Sequence, residues 1–257
     1  MKLDYNALLE LVSEMGFRLM FSGAEIYRVE ESVSRLLQAY GAERGEVFAI
    51  PNCIIVSLTS PQGEPMTQIR RMPSHGTDIY LLERYNDLCR RLCRETPPFE
   101  EALSCMREIE RTHKVYSLPM QLLAHFLGCG LFSLFYGGSV WDGLCGGLCG
   151  MVICLCMLLT SRLGANLFFK TIAGAAVSAF AAMALTATGL GQNADSIIIG
   201  ALMALVPGIA FTNAMRDIMA GDMVAGISKA AEALLIGAAI ALGTALALGL
   251  TRLLMGG

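Results

Sequence analysis

Charge is nearly absent from the second half of this 257-residue sequence. Residues 117–257 hold ten of the 41 charged residues: Asp142, Arg162, Lys170, Asp195, Arg216, Asp217, Asp222, Lys229, Glu232 and Arg252. A soluble domain carries about a quarter charged residues, so that stretch cannot be one. A basic excess is missing too: the net charge of -3 leaves no nucleic-acid footprint. Histidine is scarce, at three residues. Cys89-x-x-x-Cys93 and Cys145-x-x-x-Cys149 each lie one helical turn apart. No histidine or further cysteine in the soluble part completes a four-ligand set, so no metal is expected. The nine cysteines are odd in number, and five sit inside apolar runs. That excludes a disulfide framework and fits free thiols in a reducing compartment. The start, MKLDYNALLELVSE, has no uninterrupted apolar segment and reads as no signal peptide. P-loop, dinucleotide, zinc-protease and serine-hydrolase motifs are all missing, and the sequence reads as non-enzymatic. Ser74, His75 and Asp78 resemble a triad only in print, since a triad is a spatial arrangement.

What is present is a series of charge-poor windows, each near the ~20 residues needed to cross a bilayer core. They predict five spans, about 118–137, 140–160, 168–189, 195–215 and 225–252. The expected fold class is an α-helical integral membrane protein of about five transmembrane helices with an N-terminal α+β cytoplasmic domain. Its domains are 1–116 and 117–257. Arg107, Arg111 and Lys114 precede the first span, Arg162 and Lys170 flank the loop after the second, and Arg216 and Lys229 flank the loop after the fourth. Cytoplasmic loops attract Lys and Arg, so these regions are expected inside and the C-terminus outside. The second span carries Gly143-x-x-x-Gly147 and Gly146-x-x-x-Gly150, read as generic helix packing. The fifth carries Ala233, Gly237, Ala241, Ala245 and Gly249, read as a smooth stripe for a specific helix partner.

In the soluble part, helices are predicted at 4–20, 24–40, 77–94 and 98–113, with strands at 47–50, 53–60 and 66–72. Ser22 is expected to cap the second helix, with Glu25 three residues on as its box partner. Glu30 stands beside the apolar stripe of Ile26, Val33 and Leu37. A carboxylate there needs a partner, expected from Arg70, Arg71 or another basic residue. A structural salt bridge outweighs a functional carboxylate in that reading.

The stretch ALVPGIAFTNAMRDIMAGD, 204–222, breaks a predicted span. Pro207 removes a backbone donor and frees carbonyls near Met203 and Ala204, and Gly208 tolerates the resulting turn. In lipid those groups must face protein or a water-filled cavity. A half-helix starting near Ile209 would suit an anion at its N-terminus. Pro207, Gly208, Thr212, Asn213, Arg216 and Asp217 therefore form the expected substrate pathway. His125 and Asp217 are the candidate proton carriers for a coupling that nothing in the sequence proves; no other cofactor is expected.

FSGAEIYRVEESVSRLL (21–37) and LVPGIAFTNAMRDIMAGDMVAG (205–226), with IPNCIIVSL, TQIRRM and DIYLLERYNDLCRRL between them, resemble the bacterial threonine/serine exporter family. The resemblance runs from about residue 10 to 250. It implies a cytoplasmic N-terminal domain followed by about five spans. Signature positions fall on Gly23, Ala24, Glu25, Arg28, Val29 and Glu30, and on Pro207, Gly208, Asn213, Arg216, Asp217, Gly221, Asp222 and Gly226. Among these, Glu25, Arg28, Glu30 and Asp222 are candidates for gating. Ending at Gly257, the chain resembles the split form, in which a separate small multi-span membrane protein supplies the second half. The expected function is thus a subunit of a bacterial inner-membrane exporter for small carboxylate metabolites, threonine or serine first, with the N-terminus cytoplasmic. The alternatives are a dicarboxylate (succinate) exporter subunit and a membrane-anchored cytoplasmic sensor. Expected partners are membrane lipid, the small-molecule substrate and that second subunit in a hetero-oligomer, with no nucleic acid.

Overall fold

The computed structural model describes residues 4–42, 44–60, 63–72 and 76–254. The chain forms two compact units: Met1–Lys114 with Ile209–Ala230, and Val115–Gly208 with Ala231–Gly257.

The first unit opens with α1 (Tyr5–Phe21), capped by the Asp4 carboxylate, which accepts from the Asn6 and Ala7 N–H groups. Leu8, Leu11, Val12, Met15 and Leu19 recur at helical spacing and are buried. In α2 (Ile26–Ala39), Ile26, Val29, Val33, Leu36 and Leu37 do the same. The turn between these helices departs from expectation. Ser22 closes α1, its Oγ donating to Arg18 O, and does not cap α2. Glu25 is itself the first residue of the α2 cap and makes no side-chain cap bond. The cause is Gly23, at φ +94, where a Cβ would meet Gly76 O at 2.7 Å. The chain reverses there and carries Ser22 away from the new helix.

Strands β1 (Gly45–Ile50), β2 (Cys53–Thr59) and β3 (Pro65–Arg71) form an antiparallel sheet in that order, with Val47 opposite Val56 and Ile54 opposite Arg70. Period-two alternation puts Ile54, Val56 and Leu58 of β2 into the core. In α3 (Ile79–Glu95) and α4 (Phe99–Thr112), Tyr85, Leu88, Leu92, Ala102 and Met106 complete it. Thr96 in the left-handed region and Pro98 at the next cap end one helix and start the other. Asp78 pairs with His113 at 2.9 Å; Ser74 and His75 lie outside the described residues. The last part of this unit comes from far along the chain. It is α9 (Gly208–Ala220) and the start of α10 (Met223–Leu254), which fold back at Gly221 and bury Ala214 and Ala225.

The second unit contains α5 (Leu118–Phe135), α6 (Val140–Arg162), α7 (Leu167–Ala187), α8 (Ala194–Leu202) and the rest of α10. Among the described residues four helices are long and apolar enough to cross a membrane: α5, α6, α7 and α10. The stretch 195–215, expected as the fourth of five spans, is not one helix. Its first piece, α8, has nine residues, about 13 Å against a hydrocarbon core of ~30 Å. Residues 203–207 are turn and coil before α9 begins, because Pro207 cannot continue the hydrogen-bond ladder.

Small residues set the packing. The two Gly-x-x-x-Gly pairs of α6 face α5. A Cβ on Gly147 would meet Phe126 O at 2.8 Å, and one on Gly150 would meet His125 O at 2.7 Å and Cys129 Sγ at 2.6 Å. In α10 the in-chain contact is not the expected stripe. Gly243 packs on α7 against Ile172 O and Ala175, with Ala239 and Ala247 buried on the same side. Of the expected stripe Ala233 is buried, Ala241 and Ala245 are exposed, and Gly237 and Gly249 meet open space. The N-terminus of α6 holds a buried carboxylate, Asp142, in a capping box with Ser139. Its Oδ1 accepts from Gln192 N–H at 2.6 Å and Asn193 N–H at 3.0 Å, which ties the loop before α8 to α6.

Gly243→Leu should therefore unseat α10 from α7 and lower the melting temperature of the purified protein, overpacking costing about 1–3 kcal/mol or more. Gly237→Leu should leave that temperature within experimental error. Equal losses from the two would show that α10 packs through the other face.

Candidate functional site

The first turn of any helix has backbone N–H groups without helical partners. In α2 neither Ser22 nor Glu25 supplies an acceptor, and a side chain 191 residues away does. Asp217 Oδ1 accepts from Ile26 N–H at 3.1 Å. Its Oδ2 accepts from Lys229 Nζ at 2.9 Å, and Asp217 is fully buried. Lys229, on the first turns of α10, also reaches Ala24 O at 3.5 Å. One helical turn earlier on the same face of α9, Asn213 Nδ2 donates to Gly23 O at 3.3 Å. Arg216 donates to Glu25 at 2.9 Å, and Arg28 stands 3.6 Å from the other Glu25 oxygen. So α9 docks on residues 23–26 through a charged and polar face. Burial pushes the Glu25 carboxyl up, but its own backbone N–H and the Arg216 and Arg28 guanidinium groups outweigh that, holding it below the usual carboxylate range.

Glu30, five residues further along α2, lives differently. Its expected arginine partner is not there: Arg70 binds Glu14 and the Ser13 hydroxyl on α1. Arg70 lies on β3 beside α1, whereas Glu30 meets β1, where its Oε1 accepts from Ala49 N–H at 2.7 Å. Burial pushes the Glu30 carboxyl above its ordinary range; that hydrogen bond opposes the shift, and the like charges of Asp222 and Asp217 add to it. Asp222 caps α10, accepting from Ala225 N–H at 3.3 Å. Its other oxygen is buried with no hydrogen-bond partner. Two carboxyl groups on one helix are thus driven in opposite directions, a pattern typical of working sites.

The second unit has a place of its own. A cavity of about 240 Å³ is lined by Ala124, His125, Gly128, Cys129, Phe132, Met203 and Ala204. Met203 and Ala204 belong to the irregular stretch after α8. Pro207 has no N–H to give Met203 O, and Gly208 N–H turns to Val206 O instead of Ala204 O. Cys129 Sγ donates to Ala201 O at 3.5 Å at the end of α8. His125 Nδ1 lies 2.8 Å from Gln121 O. A carbonyl only accepts, so Nδ1 donates and Nε2 is the ring nitrogen still able to accept.

A family model described as "Putative threonine/serine exporter" matches residues 10–251. The chain belongs to the threonine/serine exporter family. Two relatives illustrate its range. The "Probable threonine/serine exporter" of Mycobacterium tuberculosis is 24% identical over 249 residues, which are 96% of this chain and 46% of that protein. The chain therefore spans less than half the length of that relative. The "Probable succinate transporter subunit YjjP" of Klebsiella aerogenes is 24% identical over 254 residues, 96% of this chain and 95% of that one. No solved structure matches.

The two stretches that carry the resemblance to the exporter family meet in the first unit. Glu25, Arg28, Glu30, Asn213, Arg216, Asp217 and Asp222 gather around the N-terminus of α2 and the α9–α10 corner. Thr212 lies on the exposed side of α9. Pro207, Gly208 and His125 belong to the second unit. Sequence reasoning missed Lys229, the buried counter-ion of Asp217, using it only for orientation. Its signal was a lysine in the first turns of an otherwise apolar helix, just past the Gly221 turn. Asp142 was also missed, though Ser139-x-x-Asp142 is a readable box.

Removing Asp217 should cost more than removing any exposed charge of this protein. Asp217→Ala leaves Lys229 buried without its counter-ion and Ile26 N–H without its acceptor, a loss of about 3–5 kcal/mol. Asp217→Asn keeps an acceptor for Ile26, and the double change Asp217→Asn/Lys229→Gln should recover part of the loss. Thermal unfolding in detergent, with hydrogen exchange at the start of α2, checks this order. Exchange at Ile26 that stays slow in Asp217→Ala would rule out the cap.

Proposed function

We propose that this protein is an export subunit of the bacterial inner membrane for small carboxylate-bearing metabolites, with threonine or serine the first choice and a dicarboxylate such as succinate the second. The observation that carries the reading is the irregular backbone at Met203 and Ala204 lining a cavity between membrane helices. Irregular backbone is tolerated at membrane depth only where protein or water covers it, and transporters use such breaks to bind substrate. The cavity is mostly apolar, with His125 Nε2 and main-chain carbonyls as its acceptors. That set suits an ammonium or hydroxyl group better than a second carboxylate, which favours the hydroxy amino acids. The family membership and the two relatives' names support the transport class.

In this reading the first unit and the loop between α6 and α7 are cytoplasmic, because Arg107, Arg111, Lys114, Arg216 and Lys229 lie in the one and Arg162 and Lys170 flank the other. As α9 belongs to the same compact unit as the N-terminal domain, the chain returns to the cytoplasm between α7 and α9. The short α8 and the break after it make that passage. The face of α10 at Gly237, Ala241, Ala245 and Gly249 is open and receives a helix of a separate small membrane subunit.

Efflux of labelled threonine, serine and succinate from cells with this chain alone, and with its proposed partner, tests the function. Gly128 lines the cavity, and a Cβ there meets nothing within 4 Å. Gly128→Leu should fill the cavity without disturbing the fold and lower efflux about tenfold, roughly 1.4 kcal/mol. Efflux at the wild-type rate would move the pathway elsewhere. Topology is checked separately: reporters inserted after Gly164 should read as cytoplasmic and after Leu190 as external. The reverse pattern would overturn the orientation.

A further inference from the structure

The charges around the N-terminus of α2 do not balance pair by pair. Among the described residues three cations are placed here and all are engaged: Arg216 and Arg28 with Glu25, and Lys229 with Asp217. Both Asp217 oxygens are already accepting, one from Ile26 N–H and one from Lys229. Glu30 and Asp222 are left with neutral donors only, Ala49 N–H and Ala225 N–H. Asp222 Oδ2 has no donor at all and is buried.

We propose that Glu30 is a proton-binding site of this exporter, at the interface where α9 docks on α2, so that its charge state sets how firmly the α9–α10 corner is held against α2. Its consequence for transport rests on the exporter reading; the protonation itself does not.

The groups that face Glu30 support this. From α9 comes Asp217, and from the α9–α10 corner Asp222, both of its own sign. From β1 comes only the Ala49 N–H. On α1, Glu14 and Arg18 are bound to each other, to Arg70 and to Glu110. On α2 itself Arg28 faces Glu25, and Glu31 pairs with Arg35. With no cation among the described residues to offset a further negative charge, ionised Glu30 repels Asp222 at the corner, and a proton removes that repulsion. Asp217, expected from sequence as a carrier, has both its oxygens engaged here, by Ile26 N–H and Lys229.

The sign of the pH dependence follows. A carboxyl held above its unfolded range contributes stability that is full below that range, about 4.3 for glutamate, and is lost as pH rises through the folded value. The full-length protein in detergent should therefore melt at falling temperature as pH rises above about 4.3, the unfolded value. Glu30→Gln, which keeps the acceptor for Ala49 but cannot ionise, should remove that slope. Glu30→Asp should restore it, and Asp222→Asn should shift its midpoint to lower pH. A merely structural glutamate would change the melting temperature and leave the slope. In cells, wild-type efflux should change about tenfold over the same range and Glu30→Gln less than about twofold. Identical slopes in wild type and Glu30→Gln would overturn the proton site. A lost slope with an unaltered efflux profile would overturn its coupling role. A lost slope in a protein that exports none of the three substrates would support the proton site and reject the exporter reading.

Discussion

A buried carboxylate and the lysine that neutralises it hold the first unit together across most of the chain. Helix α2 begins without a cap of its own, because the reversal at Gly23 leaves Ser22 on the preceding helix. Asp217 supplies the missing acceptor, and Lys229 makes its burial tolerable. Without that pair an uncapped helix end would face a charged helix. With it, α9 and the first turns of α10 become part of the same core as α1–α4 and the sheet. The cost of placing an ion pair out of water is repaid here by completeness: both Asp217 oxygens have donors, and Asn213 and Arg216 extend the contact on the same helix face.

The membrane unit is organised by the opposite chemistry. Lipid offers no hydrophobic gain for bringing helices together, so close approach decides. The glycines of α6 let α5 lie against it, backbone to backbone, and Gly243 does the same for α10 on α7. Asp142 is the polar exception, buried and saturated by four donors from Ser139, Gln192 and Asn193. It fixes the start of α8 and hence where α8 ends. The irregular backbone that follows lines an open cavity with His125, Cys129 and Phe132 of α5.

These two chemistries suit the two tasks of a transporter. In the proposed export function the irregular stretch after α8 is where a tightly seamed helix bundle receives a small molecule. In the charged cluster the Arg216 and Arg28 guanidinium groups hold the Glu25 carboxyl below its usual range, whereas burial and the like charges of Asp222 and Asp217 push the Glu30 carboxyl up.

Much of this was written locally in the sequence. The periodicity of Leu8, Leu11, Val12, Met15 and Leu19 marks α1, the β-branched run at Cys53–Thr59 marks β2, and Pro97-Pro98 separates α3 from α4. Four of the membrane helices follow from charge-free length. Pro207 marks the break, since a missing N–H is a property of one residue. The partners were not legible. Which glycine face of α10 meets α7 depends on helix rotation, and rotation is set by neighbours, so the stripe at Gly237 looked as good as the face at Gly243. Ser22 and Glu25 fit a capping box in sequence, but the backbone direction at Gly23 decided otherwise. Glu30 could be seen as an oddity beside an apolar stripe, yet its lack of a cation depends on where Arg70 and Lys229 end up. Short-range hydrogen-bonding rules and hydropathy act along the chain and can be read from it. Electrostatic pairing acts through space, so only the folded chain decides which charges are neutralised and which are left over.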